Sequence, residues 1–347
     1  MIRVGVLFGG QSAEHEISVQ SARNVLAALA SAHYTAIPIG ITRRGHWWLA
    51  DPAWLQQADP QRLPTFDQGL APVGVLPGQG LAVCQQHQWE LLPLDVVFPV
   101  LHGPCGEDGT VQGLLTLAGL PFVGAGVLGS ALGMDKEVMK RLLTQAGLAV
   151  APHRCYRRGE TVDPQALVAQ LGLPLFVKPA NMGSSVGITK VHTADELGPA
   201  LALAWRYDAK ALVEQAIVGR EIECAILDGS PPQASVPGEI IPQHEFYSYA
   251  AKYLDAQGAL LKAPADLTPD QVAEVQRLSL RVFQVLEGRG LARVDWFLTP
   301  EGRWIVNEIN TIPGFTSISM YPKLWELSGI PYPELVSRLV KLALPTA

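Results

Sequence analysis

The densest chemistry in the chain lies in "LARVDWFLTPEGRWIVNEIN", residues 291–310. Two strand-like runs flank a Pro/Gly turn, and alternation puts Arg293, Asp295 and Phe297 on one face of the first. Trp304, Val306, Glu308 and Asn310 share a face of the second. With residues 300–303 as the loop, Thr299 pairs with Trp304 and Asp295 lies opposite Glu308. Two carboxylates and an amide oxygen then converge beside the Arg293 guanidinium. Like charges opposed in a sheet repel unless something positive sits between them. Hard oxygen donors at this spacing suit Mg²⁺, which takes a few carboxylates plus phosphate oxygens. A five-residue loop would instead send the carboxylates to opposite faces and leave a solvated hairpin.

A second constellation follows the apolar run that ends in Lys178. In "PANMGSSVGITK", 179–190, Gly183, Ser184, Ser185 and Gly187 offer backbone N–H groups and hydroxyls to phosphate oxygens. No Gly-Lys-Ser/Thr closes the loop and no helical pattern follows, so it is a lid between strands and not a P-loop. Lys136, just inside the preceding helix, is a candidate second cation, or equally a solvated residue of the capping turn. Glu214 and Glu221, in "LVEQAIVGRE", can accept from ribose or adenine groups, or serve as ordinary edge charges.

These groups need elements to hold them. "IRVGVLF" (2–8) reads as a buried parallel strand ended by Gly9-Gly10, and Val19, Ala22, Leu26 and Leu29 mark the helix after it. "AIPIGIT" and "LDVVFPVLHG" are further strands leading into glycine-punctuated loops, an α/β layout with ligand loops at carboxyl ends. The Pro-, Gln- and Gly-rich stretch 50–90 reads as a surface insertion. Asp135 caps a helix with Val138, Leu142 and Ala146 on one face and Gly147 as its C-terminal glycine. Short strands and a helix fill 150–212. Strands including "ALVEQAI" and "EIECAIL", with two helices, fill 213–347. The division is 1–125, 126–212 and 213–347.

Composition excludes several classes. The 347 residues are 48% hydrophobic and 17% charged with a net charge of −6, which argues for a packed core and against a nucleic-acid surface. Cys84, Cys105, Cys155 and Cys224 lack C-x-x-C spacing and suit reduced thiols in the cytoplasm. No run approaches the roughly 20 apolar residues of a membrane span. "VGVLFGG" prompts a dinucleotide oxidoreductase, but G-x-G-x-x-G spacing and the acidic residue about 20 positions on are missing. A non-catalytic nucleotide-binding regulator would leave Asp295, Glu308 and Asn310 without purpose.

The order Lys136, Lys178, Ser/Gly loop, Glu214, Asp295 and Glu308-x-Asn310 resembles the ATP-grasp superfamily. "LFGGQSAEHEIS", "LHGPCGEDGTVQG", "MDK", "KPANMGSSVGI", "YAAKY", "RVDWF" and "NEINTIPGFTSISMYP" resemble the D-alanine–D-alanine ligases in order across nearly the whole chain. The resemblance implies an N-terminal parallel α/β domain followed by two α+β lobes clamping ATP. It implies ATP-dependent joining of two D-alanines through a D-alanyl phosphate for peptidoglycan precursors, in the cytoplasm, by a homodimer built mainly from the N-terminal domain. D-alanine–D-lactate or D-alanine–D-serine ligation is the alternative within the same fold.

Residue by residue, the resemblance puts Glu14 on the ammonium of the first D-alanine, in a hydrogen-bonded triad with Ser184 and Tyr253. Lys136, Lys178, Ser185 and Lys252 match contacts to the ATP phosphates, Glu214, Ala216, Ile217 and Glu221 hold the adenosine, and Asn307 lies beside them. Asp295, Glu308 and Asn310 match the ligands of two Mg²⁺ ions, with Mn²⁺ as substitute. Arg293 and the Gly314 N–H match the oxyanion stabilisers, His102 falls near the first substrate, and Ser319 and Met320 fall at the second substrate's carboxylate. The segment 244–256 matches a closing loop. Ala250 stands where many relatives carry a polar or acidic residue, and Met320 replaces a leucine.

Overall fold

The computed structural model describes residues 1–57, 64–243 and 259–345. Its first strand, β1 (Arg3–Gly9), is buried at every residue but Arg3, because it runs parallel between β2 (Thr35–Ile41) and β7 (Val96–Pro99) with helices on both faces. Between β2 and β7 the chain adds β3 (Trp47–Leu49), β4 (Ala71–Leu76), β5 (Gly80–Gln85) and β6 (Gln88–Leu92), giving the order β6-β5-β4-β3-β2-β1-β7. The stretch 50–90 is therefore not a surface insertion. After α2 (Pro52–Gln57) it extends the sheet as an antiparallel meander, and only β2, β1 and β7 are parallel. Gly78 and Gln79 form the turn between β4 and β5, and Gln85 to Gln88 the turn into β6, and such turn residues mask the apolar alternation of the short strands.

Helix α1 (His15–Ser31) presents Val19, Ala22, Val25 and Leu29 to one face of this sheet. Helix α3 (Thr110–Ala118) presents Val111 and Leu115 to the other. After α4 (Val127–Met134), Asp135 caps α5 (Lys136–Gln145) by accepting the N–H groups of Glu137 and Val138, each at 3.2 Å. Gly147 follows the helix at φ 78°. The buried face is Lys136, Met139, Lys140 and Leu143, one position round from the expected Val138, Leu142 and Ala146. Met139 and Leu143 pack into the core of the C-terminal sheet, and that contact sets the rotation.

The central sheet holds β8 (His153–Arg157), β9 (Leu175–Pro179), β10 (Thr189–Val191) and β11 (Lys210–Gln215) in the order β10-β9-β11-β8, backed by α6 (Pro164–Leu171) and α7 (Leu197–Tyr207). β11 pairs with both β8 and β9, so the change of sheet comes after Gln215 and not at 212. The third sheet orders β15 (Ala259–Lys262), β14 (Gly238–Pro242), β12 (Arg220–Leu227), β16 (Leu291–Leu298) and β17 (Trp304–Asn310), with β13 (Gln233–Ala234) on β12. Helix α8 (Pro269–Val285) covers it, while α9 (Met320–Leu327) and α10 (Tyr332–Ala343) return to the first domain's core.

The β16–β17 hairpin departs from simple alternation. Leu298, not Thr299, pairs with Trp304, leaving the five-residue loop 299–303 that would have separated the carboxylates. A register shift opposite Asp295 and Trp296 restores them: Trp296 pairs with Val306, Asp295 with Glu308, and Asn307 is the extra residue. A bulge of this kind resets which face the following side chains occupy. Trp304 and Val306 therefore join the core with Ile309 and do not share the face of Glu308 and Asn310.

Candidate active site

The central and C-terminal sheets face each other across a cleft with ≈ 260 Å³ of room for solvent or ligand. Lys178 and Glu214 line one wall and Phe297, Asn307 and Glu308 the other. Ala216, Ile217 and Glu221 lie on the cleft, as do Lys136, Ser184 and Ser185. The Ala216 N–H is already used by the Pro174 carbonyl at 3.1 Å.

Glu214 is buried, and it is not a lone edge charge. Lys178 pairs with one carboxylate oxygen and Lys140, wholly buried on α5, with the other at 3.1 Å. Desolvation favours the neutral acid, but the Lys140 and Lys178 ammoniums outweigh it and hold the carboxyl at about 2. Burial, with Lys178 and Lys136 as like charges, pushes the Lys140 pKa down against the pull of Glu214. Two cations on one anion leave surplus positive charge facing the cleft. Lys136 adds more, donating to the Met182 carbonyl at 2.9 Å and lying 3.2 Å from Glu308. Lys140 escaped the sequence reading, although it stands one helical turn from Lys136 on the same face.

The serine loop joins the N-terminal domain to this cleft. Glu14 immediately precedes α1 and its side chain caps nothing; instead the Ser184 hydroxyl donates to its carboxylate. A Cβ on Gly103 or Gly183 would come 3.1 Å from Glu14 Oε2, so a side chain at either position would crowd that carboxylate. Ser184 and Ser185 take φ of 49° and 61°, a conformation L-residues adopt at a cost that functional loops tolerate. Lys252 and Tyr253, and the whole segment 244–256, lie outside the described residues.

On β16 the Arg293 guanidinium donates two bonds of 2.7 Å to Asp295 and lies 3.1 Å from Glu223. Desolvation opposes its charge, but Asp295, Glu223 and Glu308 more than compensate and raise its pKa. The Asn310 amide donates to Asp295 at 2.9 Å, leaving its oxygen for another partner. Among the described residues no group of three His, Cys, Asp or Glu could hold a metal alone. The donor set Asp295, Glu308 and the Asn310 oxygen nevertheless fits Mg²⁺, whose shell takes few protein ligands and completes itself with phosphate oxygens. Arg293 and Lys136 neutralise these carboxylates here.

His102 is buried and faces the Ile312 carbonyl through Nδ1 at 3.0 Å; burial lowers its pKa, against the pull of Glu14. Glu107, which the sequence reading did not single out, accepts from the Gly103 N–H at 2.8 Å and the Ile312 N–H at 3.0 Å. Desolvation first, then the negative field of Glu14 and Glu308, pushes its carboxyl up to about 8. The only sequence signal for it was a glutamate set among glycines in "HGPCGEDG". A Cβ at Gly314 would meet Ser319 Oγ at 2.7 Å. The Ser319 hydroxyl accepts from the Thr316 N–H at 3.0 Å. Met320 does not present its side chain to the site. It packs in the core beneath Gly238, so only its backbone at the start of α9 remains for a ligand.

Known proteins resemble this chain over nearly its whole length. The family described as D-ala D-ala ligase N-terminus matches residues 3–125, and D-ala D-ala ligase C-terminus matches 142–341. D-alanine–D-alanine ligase A of Chromobacterium violaceum is 50% identical, covering 99% of this chain and 95% of that protein. D-alanine–D-alanine ligase A of Escherichia coli is 45% identical, covering 99% and 96%. Among solved structures, the D-alanine–D-alanine ligase of Coxiella burnetii superposes with a TM-score of 0.85 at 38% identity, covering 99% of this chain and 93% of that one. The VanG D-Ala:D-Ser ligase of Enterococcus faecalis gives 0.86 at 35%, covering 99% of both.

Proposed function

Because the chain belongs to the D-alanine–D-alanine ligase family, we propose that its cleft binds ATP and two D-alanines and joins the amino acids as D-alanyl-D-alanine. The observation that carries this reading is the meeting of three parts of the chain: Glu14 from the first domain, Ser184 from the serine loop, and the Arg293–Asp295–Glu308 group from the last sheet.

A carboxylate is a poor electrophile, so activation must come first. Glu14 receives the ammonium of the first D-alanine and orients its carboxylate toward the γ-phosphorus. Lys178 and Lys136 hold the phosphates in line, the positioning and charge neutralisation on which phosphoryl transfer depends. Mg²⁺ or Mn²⁺ on Asp295, Glu308 and the Asn310 oxygen supplies further charge neutralisation when bound. The carboxylate oxygen attacks phosphorus, the bond to ADP breaks, and a D-alanyl phosphate forms. The second D-alanine, its carboxylate at Ser319 and the backbone of Met320, attacks the carbonyl through its amine. Arg293 and the Gly314 N–H stabilise the tetrahedral oxyanion. Phosphate leaves as the peptide bond closes. Glu221, Ala216, Ile217, Asn307 and Glu214 frame the adenosine, and Ser185 the phosphates. By the family pattern Lys252 serves the γ-phosphate and Tyr253 the triad with Glu14 and Ser184, and exclusion of water protects the acyl phosphate from hydrolysis.

By the family pattern the dipeptide is made in the cytoplasm for peptidoglycan precursors. No helix among the described residues is long and apolar enough to cross a membrane. Its expected homodimer would be built mainly from the first domain, where Leu117 on α3 is exposed at 72%. Phosphate release that requires both MgATP and D-alanine tests the reaction. Product analysis with D-alanine, D-serine and D-lactate tests the second substrate. Release with another amino acid but not D-alanine would overturn the assignment.

A further inference from the structure

Gly314 carries the N–H assigned to the oxyanion, and the residues around it are held in an unusual way. On one side, the Ile312 N–H goes to Glu107 at 3.0 Å and its carbonyl faces His102 at 3.0 Å. On the other, the Phe315 N–H goes to the Ser21 hydroxyl at 3.2 Å, and its carbonyl accepts from Asn24 at 3.1 Å and Tyr332 at 2.8 Å. The segment after β17 is thus fixed by side chains and not by a backbone ladder. Both Ile312 and Phe315 are buried, so these backbone groups have no water to fall back on.

Glu107 differs from the other clamps because its second oxygen accepts the Gly103 N–H at 2.8 Å. Gly103 is the residue whose missing Cβ leaves room for the Glu14 carboxylate, 3.1 Å from where that carbon would be. We propose that Glu107 is a positioning residue for peptide-bond formation. Its two oxygens tie the loop that flanks Glu14 to the segment that aims the Gly314 N–H, so that the first substrate and the oxyanion donor share one frame. The inference rests on the oxyanion role of Gly314 and Arg293. Glutamate suits the task because both oxygens accept; a glutamine would turn an NH₂ group toward one of the two donors.

Phosphoryl transfer to the first D-alanine forms no tetrahedral carbon, so loosening this segment should spare that step and slow the second. In Glu107→Gln the rate of dipeptide formation is expected to fall roughly 100-fold, the cost of misplacing a donor by about 1 Å. MgATP affinity should stay within about twofold, and phosphate release should exceed dipeptide formed, because stranded acyl phosphate hydrolyses. Hydrogen exchange over 311–315 should quicken without a general loss of protection. Glu107→Met serves the same test if the glutamine variant does not fold. An unchanged rate, or a slower rate with phosphate and dipeptide still one to one, overturns the inference. Arg293→Ala run in parallel separates the two readings. If it uncouples phosphate from dipeptide while the Glu107 variants do not, only the positioning role fails. If it stays coupled, the oxyanion reading fails and this inference with it.

Discussion

Replacing Lys140 with methionine tests whether the nucleotide cleft depends on a residue that never reaches it. Lys140 is wholly buried and lies 3.1 Å from Glu214, which also holds Lys178. At that distance the attraction is about 5 kcal/mol at an effective dielectric near 20. Desolvating the ammonium costs several kcal/mol in return. Methionine fills similar volume and removes both, so the net loss of stability should be about 2 kcal/mol, or roughly 4 °C in melting temperature. The effect on nucleotide should be more specific. With Lys140 the group carries two positive charges on one negative, and Lys178 can turn toward a phosphate while Glu214 remains paired. Without Lys140, engaging phosphate would leave Glu214 buried and uncompensated. The MgATP Kd should therefore rise about tenfold, equivalent to about 1.4 kcal/mol, and the loss should exceed that for adenosine. Calorimetric titration of folded Lys140→Met with MgATP and with adenosine measures both. Equal binding of MgATP by variant and parent would refute the reasoning, even if the melting temperature fell.

Arg293→Ala should lower turnover roughly 100- to 1000-fold while MgATP binding is retained; a parental rate would remove Arg293 from the oxyanion role. Ser184→Ala breaks the contact to Glu14, and the KM for the first D-alanine should rise about tenfold with one charge-assisted bond lost, as initial rates with both substrates varied would reveal. The Glu214 carboxyl, held at about 2 in the folded protein against an ordinary value of 4.5, contributes stability that is full above pH 4.5 and lost as pH falls toward 2. Melting temperatures between pH 5 and pH 2.5 should accordingly fall less steeply in Glu214→Gln than in the parent; parallel slopes would contradict the double pairing.

Much of the site was legible because its signals are local. The Asp135 cap fixed the start of α5, and alternation along β16 placed Arg293, Asp295 and Phe297 together, since neither depends on distant contacts. The ordered motifs from Glu14 to Met320 identified the family without any coordinates. Tertiary structure decided the rest. The carboxylate pair survives a five-residue loop only because of the extra residue Asn307, and no periodicity announces a bulge. Whether "KALVEQ" joins the central or the last sheet depends on β8 and β9, strands far along the chain. Met320 looks like a substrate contact in its motif, yet its side chain is drawn into the core under Gly238. Lys140 looks like an ordinary charge until packing removes its water, and Glu107 until the fold brings the Gly103 and Ile312 N–H groups to its two oxygens. Sequence determines which groups are available and which face of an unbroken element they occupy. Register, partner sheet and burial are properties of contacts between elements, and those are what turned these charges into a site.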